Sequence, residues 1–289
     1  MIQQPIKTAN PLMGLMRQPK IYIKLPSNGE YWEKGALTVS ETGEYPVYSM
    51  TAKDELMLKI PDALMNGQAV VDVIQHCMPN IKNAWKIPNL DMDVILIAIR
   101  IATYGEKMTV PVKLGDVVDT EYSLDLRIVN DNLLNQITWN PIVPINDEIT
   151  IYVKPINYKT MTESALQTFE TQKIIQLAND TEMPAEEKLK AFQDSIGKLN
   201  QLTIEVINQS VYNVETSLGS TTDYKHIQEF MANADKEIFD KIRNHIDALR
   251  VQNSIKPMKI TTTDEMRAAG IIEDEVEIPL QFDPATFFV

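Results

Sequence analysis

Histidine and cysteine, the residues that most often bind metals or act as nucleophiles, are few in this chain and far apart. It has three histidines, His76, His226 and His245, and a single cysteine, Cys77. A closed zinc site needs four ligands drawn mainly from these two residue types. His226 and His245 are separated by about five turns of the one helix predicted around them, so they cannot share an ion. We therefore predict no metal site and no internal disulfide.

Catalytic and cofactor-binding patterns are also missing from the sequence. His76 and Cys77 are adjacent, so they lie on different faces of a helix and form no nucleophile dyad. The pair Gly197-Lys198 lacks the upstream glycine of a phosphate-binding loop and falls within a helical pattern. Close carboxylate pairs are expected among 40 acidic residues and fit helix caps and solvated surfaces. The sequence predicts no catalytic residue, no cofactor and no enzymatic activity.

Composition and charge narrow the class of protein. With 289 residues, of which 44% are hydrophobic and 23% charged, the chain has the composition of a globular protein. Its net charge of −13 repels nucleic acid and anionic lipid. The longest apolar run, residues 94–102, would rise only about 14 Å in a helix, against about 30 Å of membrane hydrocarbon. We expect no nucleic-acid partner, no membrane span, no secretory signal and residence in a reducing cytoplasm.

The elements that would position any site begin with short strands. Residues 21–50 hold β-branched and aromatic runs that are broken by glycine and proline, which predicts short strands joined by turns. Thr51 then predicts a helix N-cap, with Asp54 and Glu55 in the first turn, where carboxylates favour the helix dipole. A second helix follows and ends before Pro79.

A third helix, capped by Asp91 and ended by Gly105, is apolar on nearly every face. Such a helix is typical of the centre of a core. Its exception is Arg100, because an unpaired buried guanidinium costs several kcal/mol. We expect Arg100 to pair with Asp54 or Glu55; the alternative is that its side chain extends to solvent.

The chain becomes helical after residue 158. Three segments are almost free of glycine and proline: 159–180, 184–217 and 222–252. Two of them carry apolar stripes with steps of three and four residues, and we expect these stripes to pack against each other in an antiparallel pair. The first stripe is Leu189, Phe192, Ile196, Leu199, Thr203 and Val206, and the second is Ile227, Met231, Ala234, Ile238, Ile242, Ile246 and Leu249.

Additional apolar residues predict a partner-binding surface. Leu202, Ile204 and Ile207 lie beside the first stripe and exceed what one seam between two helices buries. The C-terminal Phe287 and Phe288 are expected to dock on a surface as well. The alternatives are a closed three-helix bundle that leaves nothing exposed, self-association, or binding of another protein.

The predicted fold class is α+β, with a mixed N-terminal domain of short strands around a buried central helix, followed by a long-helix hairpin or bundle. Residues 108–157 return to strands and complete the N-terminal domain. The predicted divisions are an extended segment at 1–19, the α+β domain at 20–157, the helical hairpin or bundle at 158–252, and an extended tail at 253–289 that docks back on the body.

Four segments carry a resemblance to a known family. They are residues 25–31 (LPSNGEY), 48–56 (YSMTAKDEL), 64–69 (LMNGQA) and 98–105 (AIRIATYG). In order and spacing they resemble the baseplate hub subunit and hub assembly protein family of T-even-type contractile-tail bacteriophages, over about residues 20–110. Many members of that family carry a cysteine pair just after the position of Val112, where it forms a small metal ribbon. This chain has no cysteine there, so we expect a metal-free β-hairpin.

The resemblance implies a tail morphogenesis protein that works by binding other proteins. We expect a baseplate hub assembly chaperone, in the host cytoplasm during assembly, that binds tail proteins such as a hub or tape measure protein. The alternatives are a structural hub component retained in the tail baseplate of the virion, and an enzyme whose motif the sequence does not disclose.

Overall fold

Short strands and helices alternate through the N-terminal half of the molecule. The computed structural model describes residues 16–114, 118–180, 184–268, 271–278 and 287. The first elements are β1 (Ile21–Ile23), β2 (Tyr45–Val47), α1 (Ala52–Leu58), α2 (Pro61–Met65), α3 (Gln68–Cys77), α4 (Asn89–Tyr104), β3 (Lys107–Leu114), β4 (Val118–Asp125) and α5 (Leu126–Gln136). The strands β1 and β2 pair antiparallel. With the small sheets described below, this confirms the predicted α+β class.

The helix α4 is the centre of the larger of two hydrophobic clusters. Of its 16 residues 11 are buried, which explains why its sequence is apolar on nearly every face. The side chains of β1, β2, α1, α3 and α5 pack in the same cluster. The helix begins at Asn89 after Pro88, so the prediction that Asp91 caps it is wrong. Asp91 lies in the first turn and is bonded elsewhere, as described below.

Two local predictions in this half are confirmed. Thr51 caps α1, because its hydroxyl accepts from the amide of Asp54 while the Asp54 carboxylate accepts from the amide of Thr51 at 2.7 Å. The strands β3 and β4 form the predicted hairpin, with Lys107 opposite Asp125 and Leu114 opposite Val118. The residues that join the two strands, 115–117, lie outside the described residues.

A four-stranded antiparallel sheet organises the second half. It consists of β5 (Ile142–Pro144), β6 (Ile149–Val153), β7 (Val211–Thr216) and β8 (Gly219–Thr221), in that spatial order. Helices α8 (Tyr224–Asn233) and α9 (Lys236–Asn253) complete a second hydrophobic cluster with the sheet. The sheet therefore takes strands from both sides of the boundary predicted at residue 157.

Two of the predicted helices have different bounds in the structure. The helix expected over 184–217 ends at Ser210, because residues 211–216 pair with β6 as a strand. The helix expected over 222–252 is divided, because the carboxylate of Asp235 accepts from the amide of Ile238 and caps a new helix.

A helical hairpin is inserted between β6 and β7, which are neighbours in the sheet. It consists of α6 (Tyr158–Asp180) and α7 (Ala185–Ser210), and we call it the arm. Its root is held by a stack of Tyr158 on Trp85, with ring centroids 5.7 Å apart, and by the Thr160 hydroxyl, which lies 2.9 Å from Oε1 of Gln209. Among the described residues, none from 162 to 206 belongs to either hydrophobic cluster.

The C-terminal part returns to the larger cluster. The strands β9 (Met258–Thr261) and β10 (Glu275–Ile278) pair antiparallel, and α10 (Asp264–Ala268) lies between them in sequence. Phe287 is 1% exposed within the larger cluster. None of the helices in the described ranges is long and apolar enough to cross a membrane.

Candidate partner-binding surface

The arm exposes large apolar side chains at regular intervals. Leu189 is 57% exposed, Phe192 47% and Ile196 41%, and all three lie on α7. A single exposed apolar residue is ordinary, but several on one helix face indicate a contact surface. The three follow the predicted stripe of α7, which we call the arm stripe: Leu189, Phe192, Ile196, Leu199, Thr203 and Val206.

The arm stripe does not pack against the second predicted stripe. Ile227, Met231 and Ile242 of that second stripe are buried against the four-stranded sheet, in the second cluster. This corrects the predicted pairing of the two stripes. Its physical reason is β7, which the sequence pattern did not reveal and which places α8 and α9 on the sheet, while α7 pairs with α6.

A groove of about 520 Å³ lies at the root of the arm, between α6, α7 and α9. The α6 wall includes Met161 and Phe169, and the α7 wall includes Leu202 and Val206. Thr203 and Val206 of the arm stripe line this groove, so the exposed stripe leads into it. The third wall, from α9, carries an apolar residue and three charged ones: Arg243, Ile246, Asp247 and Arg250.

The structure separates the residues predicted to bind partners. Leu202 is half-buried and lines the groove, and Ile204 is 46% exposed. Ile207 is 4% exposed in the second cluster and Phe287 is buried in the first, so neither is a surface residue and both predictions are corrected. Phe288 lies outside the described residues.

The predicted ion pair of Arg100 is replaced by other contacts. The Arg100 guanidinium donates to the backbone carbonyl of Phe287 and lies over the rings of Tyr104 and Phe287, at 5.2 and 5.3 Å from their centroids. Burial lowers the pKa of Arg100. Glu55 is hydrogen-bonded to the Tyr104 side chain, and Nδ1 of His76 lies 2.7 Å from Oδ1 of Asp54. Both predicted carboxylate partners are therefore engaged elsewhere.

A buried carboxylate network connects the N-terminal loop to α4, and sequence reasoning missed it. Asp91 is fully buried and accepts from the amide and hydroxyl of Ser27, at 2.8 and 2.5 Å, and from Nε1 of Trp32 at 2.8 Å. Burial raises the pKa of Asp91 to about 6, although these three donors act against that rise. Ser27 lies in the LPSNGEY segment, so the family motif was the available signal. The network has a structural role, because it links the N-terminal loop to the first turn of α4.

The described part of the chain offers little for catalysis. Within it, no three residues from His, Cys, Asp and Glu are placed to hold a metal ion. Cys77 is buried, and burial raises the pKa of its thiol to about 12, which keeps it from acting as a thiolate at neutral pH. The exposed arm stripe and the groove are the candidate functional features among the described residues.

By its architecture the chain is an α+β protein with a helical arm inserted between two neighbouring strands of the four-stranded sheet. The chain belongs to the family described as T4 bacteriophage base plate protein, because the family's model matches residues 16–266. No curated protein and no solved structure matches the chain. Membership of the family makes this a phage baseplate protein, implies interaction with other phage tail proteins, and indicates the tail baseplate of the virion as a location.

Proposed function

We propose that the protein is a non-enzymatic baseplate hub assembly chaperone that holds another tail protein through its arm. The observation that carries the proposal is the uncovered arm stripe. Leu189, Phe192 and Ile196 are each more than 40% exposed on a helix whose opposite neighbour, α6, exposes Phe169 as well. Burial of such an apolar face by a partner is favourable. Because the partner binds only the folded arm, binding also raises the stability of the folded chain.

The rest of the molecule supports a binding role for the arm. The two hydrophobic clusters are complete without the distal part of the hairpin, since none of the described residues from 162 to 206 contributes to them. The rest of the chain, which we call the base, holds the arm at its root, where Tyr158 stacks on Trp85 and Ile207 is buried in the second cluster. Neither hydrophobic cluster includes a residue of the arm stripe. A bound partner would explain why these apolar side chains are present on the surface. The expected partner is a hub or tape measure protein in the host cytoplasm.

A second candidate is a structural hub component that stays in the mature virion. The family description, a base plate protein, favours this alternative. Both functions use the same surface, and they differ in whether the complex persists after assembly.

Quantitative mass spectrometry of purified virions and of infected-cell lysates distinguishes the two. A chaperone is expected in lysate complexes with a tail protein and at well below one copy per particle in virions. A constant, symmetric copy number in every particle would instead establish the retained component. The double variant Leu189→Ser, Phe192→Ser should lose the lysate complex, whereas Asp194→Ser, an exposed position on the same helix, should keep it.

A further inference from the structure

We infer that the groove at the root of the arm binds an amphipathic helix of another tail protein, with carboxylates of that helix facing Arg243 and Arg250. This assignment rests on the proposed function and specifies the chemistry of its partner. Three features of the groove support it: its apolar geometry, its charge and an unpaired polar atom.

The apolar geometry fits a third helix. The arm stripe runs from Leu189 to Val206 in steps of three and four residues, over about 26 Å along the α7 axis. Its root end lies in the groove, whose walls include Met161 of α6 and Ile246 of α9. A helix with apolar residues at the same spacing would lie along α6 and α7 and complete a three-helix bundle. An extended peptide, whose side chains alternate every second residue, would match this spacing poorly.

The third wall has two arginines and one aspartate, and Arg250 is its candidate contact for a carboxylate of the occupant. The α9 wall presents Arg243, Asp247 and Arg250 to the groove. Arg243 is paired with Asp240 at 2.8 Å, whereas Arg250 forms no ion pair with any residue that the structure describes. A guanidinium at the rim of an apolar groove gains most from a partner carboxylate.

An unpaired acceptor also lies at the groove. The side-chain oxygen of Asn89 is buried and has no donor among the described residues, while the backbone amide of Asn89 donates to the carbonyl of Ile156. Both residues line the groove. Buried polar atoms are normally hydrogen-bonded, so this oxygen leaves the wall of the groove incompletely satisfied in the free chain.

Site-specific crosslinking in the full chain, expressed in infected cells, tests the position of the occupant. A photo-crosslinking phenylalanine derivative replaces Thr203, inside the groove, or Gln201, which lies about 200° around α7 from Thr203. Crosslinks from position 203 should join a tail-protein segment that has apolar residues at helical spacing and at least one carboxylate. Position 201 should give none. Crosslinks from 203 to a second copy of this chain, or to a segment without acidic residues, would overturn the inference.

A charge-reversal pair tests the role of the arginine. Arg250→Glu should weaken binding of the captured tail protein about tenfold or more. Lys198→Glu makes the same change in net charge on α7 outside the groove lining, and it should leave affinity within about twofold of wild type. Equal effects of the two variants would reject the specific contact, and Arg250→Gln, with a smaller loss, confirms that the effect is electrostatic. Thermal unfolding of each variant shows that it is folded.

The two proposals fail in different ways. If the wild-type chain captures no tail protein at all, the proposed function fails. If it captures one whose crosslinks and affinity ignore Thr203 and Arg250, only the groove assignment fails.

Discussion

The helices α4 and α7 both carry several isoleucines, but the environments of these side chains are opposite. Ile95, Ile97 and Ile99 of α4 are fully buried, whereas Ile196 and Ile204 of α7 are more than 40% exposed. The α4 side chains contribute to the stability of the chain itself. Those of α7 contribute little until another surface covers them. Residue type alone therefore does not distinguish a core helix from a helix with an exposed apolar face.

The polar residues of the two regions differ in the same way. In the core, Asp91 is buried with three donors that tie distant segments together. In the arm, the buried residues between α6 and α7 include Thr171 and Ser195, and the Thr171 hydroxyl donates to the carbonyl of Gln167 within its own helix. The contact between α6 and α7 therefore gains less stabilisation from the burial of apolar surface than the packing of α4 does. We expect the arm to open before the core.

The largest difference should come from one substitution made in both regions. Ile97→Ala removes buried methyl groups from the core and should lower the free energy of unfolding by about 3–4 kcal/mol. Ile196→Ala removes the same groups from an exposed position and should change it by less than about 0.5 kcal/mol. Urea unfolding monitored by circular dichroism measures both. Similar losses for the two variants would show that the arm stripe is packed in the free protein.

The next effect concerns the C-terminal anchor of the core. Phe287→Ala should lower the free energy of unfolding by about 3 kcal/mol, because it empties a buried position beside Arg100. Arg100→Met should cost less, since it also removes a buried cation whose Nε has no acceptor among the described residues. Thermal unfolding of the two variants tests the order. A greater loss for Arg100→Met would show that the cation is essential to the anchor.

A smaller effect should depend on pH. Burial raises the pKa of Asp93 from its ordinary 3.8 to about 6 in the folded chain. The folded state then binds more protons than the unfolded state between these values, so stability falls as pH rises from about 4 to 6 and stays lower above. Asp93→Asn removes this loss and should be more stable than wild type by about 2 kcal/mol at pH 7.5.

The difference between Asp93→Asn and wild type should shrink to about 0.5 kcal/mol at pH 4, where the carboxyl is protonated in the folded state and partly ionised in the unfolded state. Asp194→Asn, on the exposed arm, is the matched change and should stay within about 0.5 kcal/mol of wild type at both pH values. Chemical unfolding at pH 4 and 7.5 makes the comparison. A constant advantage of Asp93→Asn across pH would point to packing in place of ionisation.

The smallest effect on stability should accompany a large effect on binding. Leu189→Ser combined with Phe192→Ser should change the melting temperature by no more than about 2 °C, because both side chains are exposed in the free chain. The same variant should lose co-purification with tail proteins from infected cells. If binding persisted at full strength, the contact surface would lie in the base, and the edges of β1 would be the next place to test.

The features that the sequence predicted correctly depend on neighbouring residues. The cap of α1 is formed by Thr51 and Asp54, three positions apart, and each makes the hydrogen bond expected of its type. The central position of α4 follows from its own apolar composition. The spacing of the arm stripe was visible in the sequence, but its predicted packing against the second stripe was wrong.

The features that the sequence missed depend on distant partners. Arg100 contacts Phe287, 187 residues away, and Asp91 contacts Ser27, 64 residues away. Residues 211–216 become a strand because β6 offers a pairing edge, whatever the helical propensity of the preceding segment. The residue pattern within one segment contains no information about such contacts between distant segments. The family motif was the one signal that linked the loop of Ser27 to α4.

The insertion of the arm between β6 and β7 has a mechanical consequence. The 23 residues of α6 form a lever of about 35 Å whose pivot is the stacked ring of Tyr158. A tilt of about 5° at the pivot displaces the far end of α6 by about 3 Å, so a small rotation near the sheet becomes a larger displacement at that end. A lever of this length would widen the reach of the arm stripe. Because α6 follows β6 and α7 leads into β7, a force on the far end of the arm would act on the backbone of two adjacent strands.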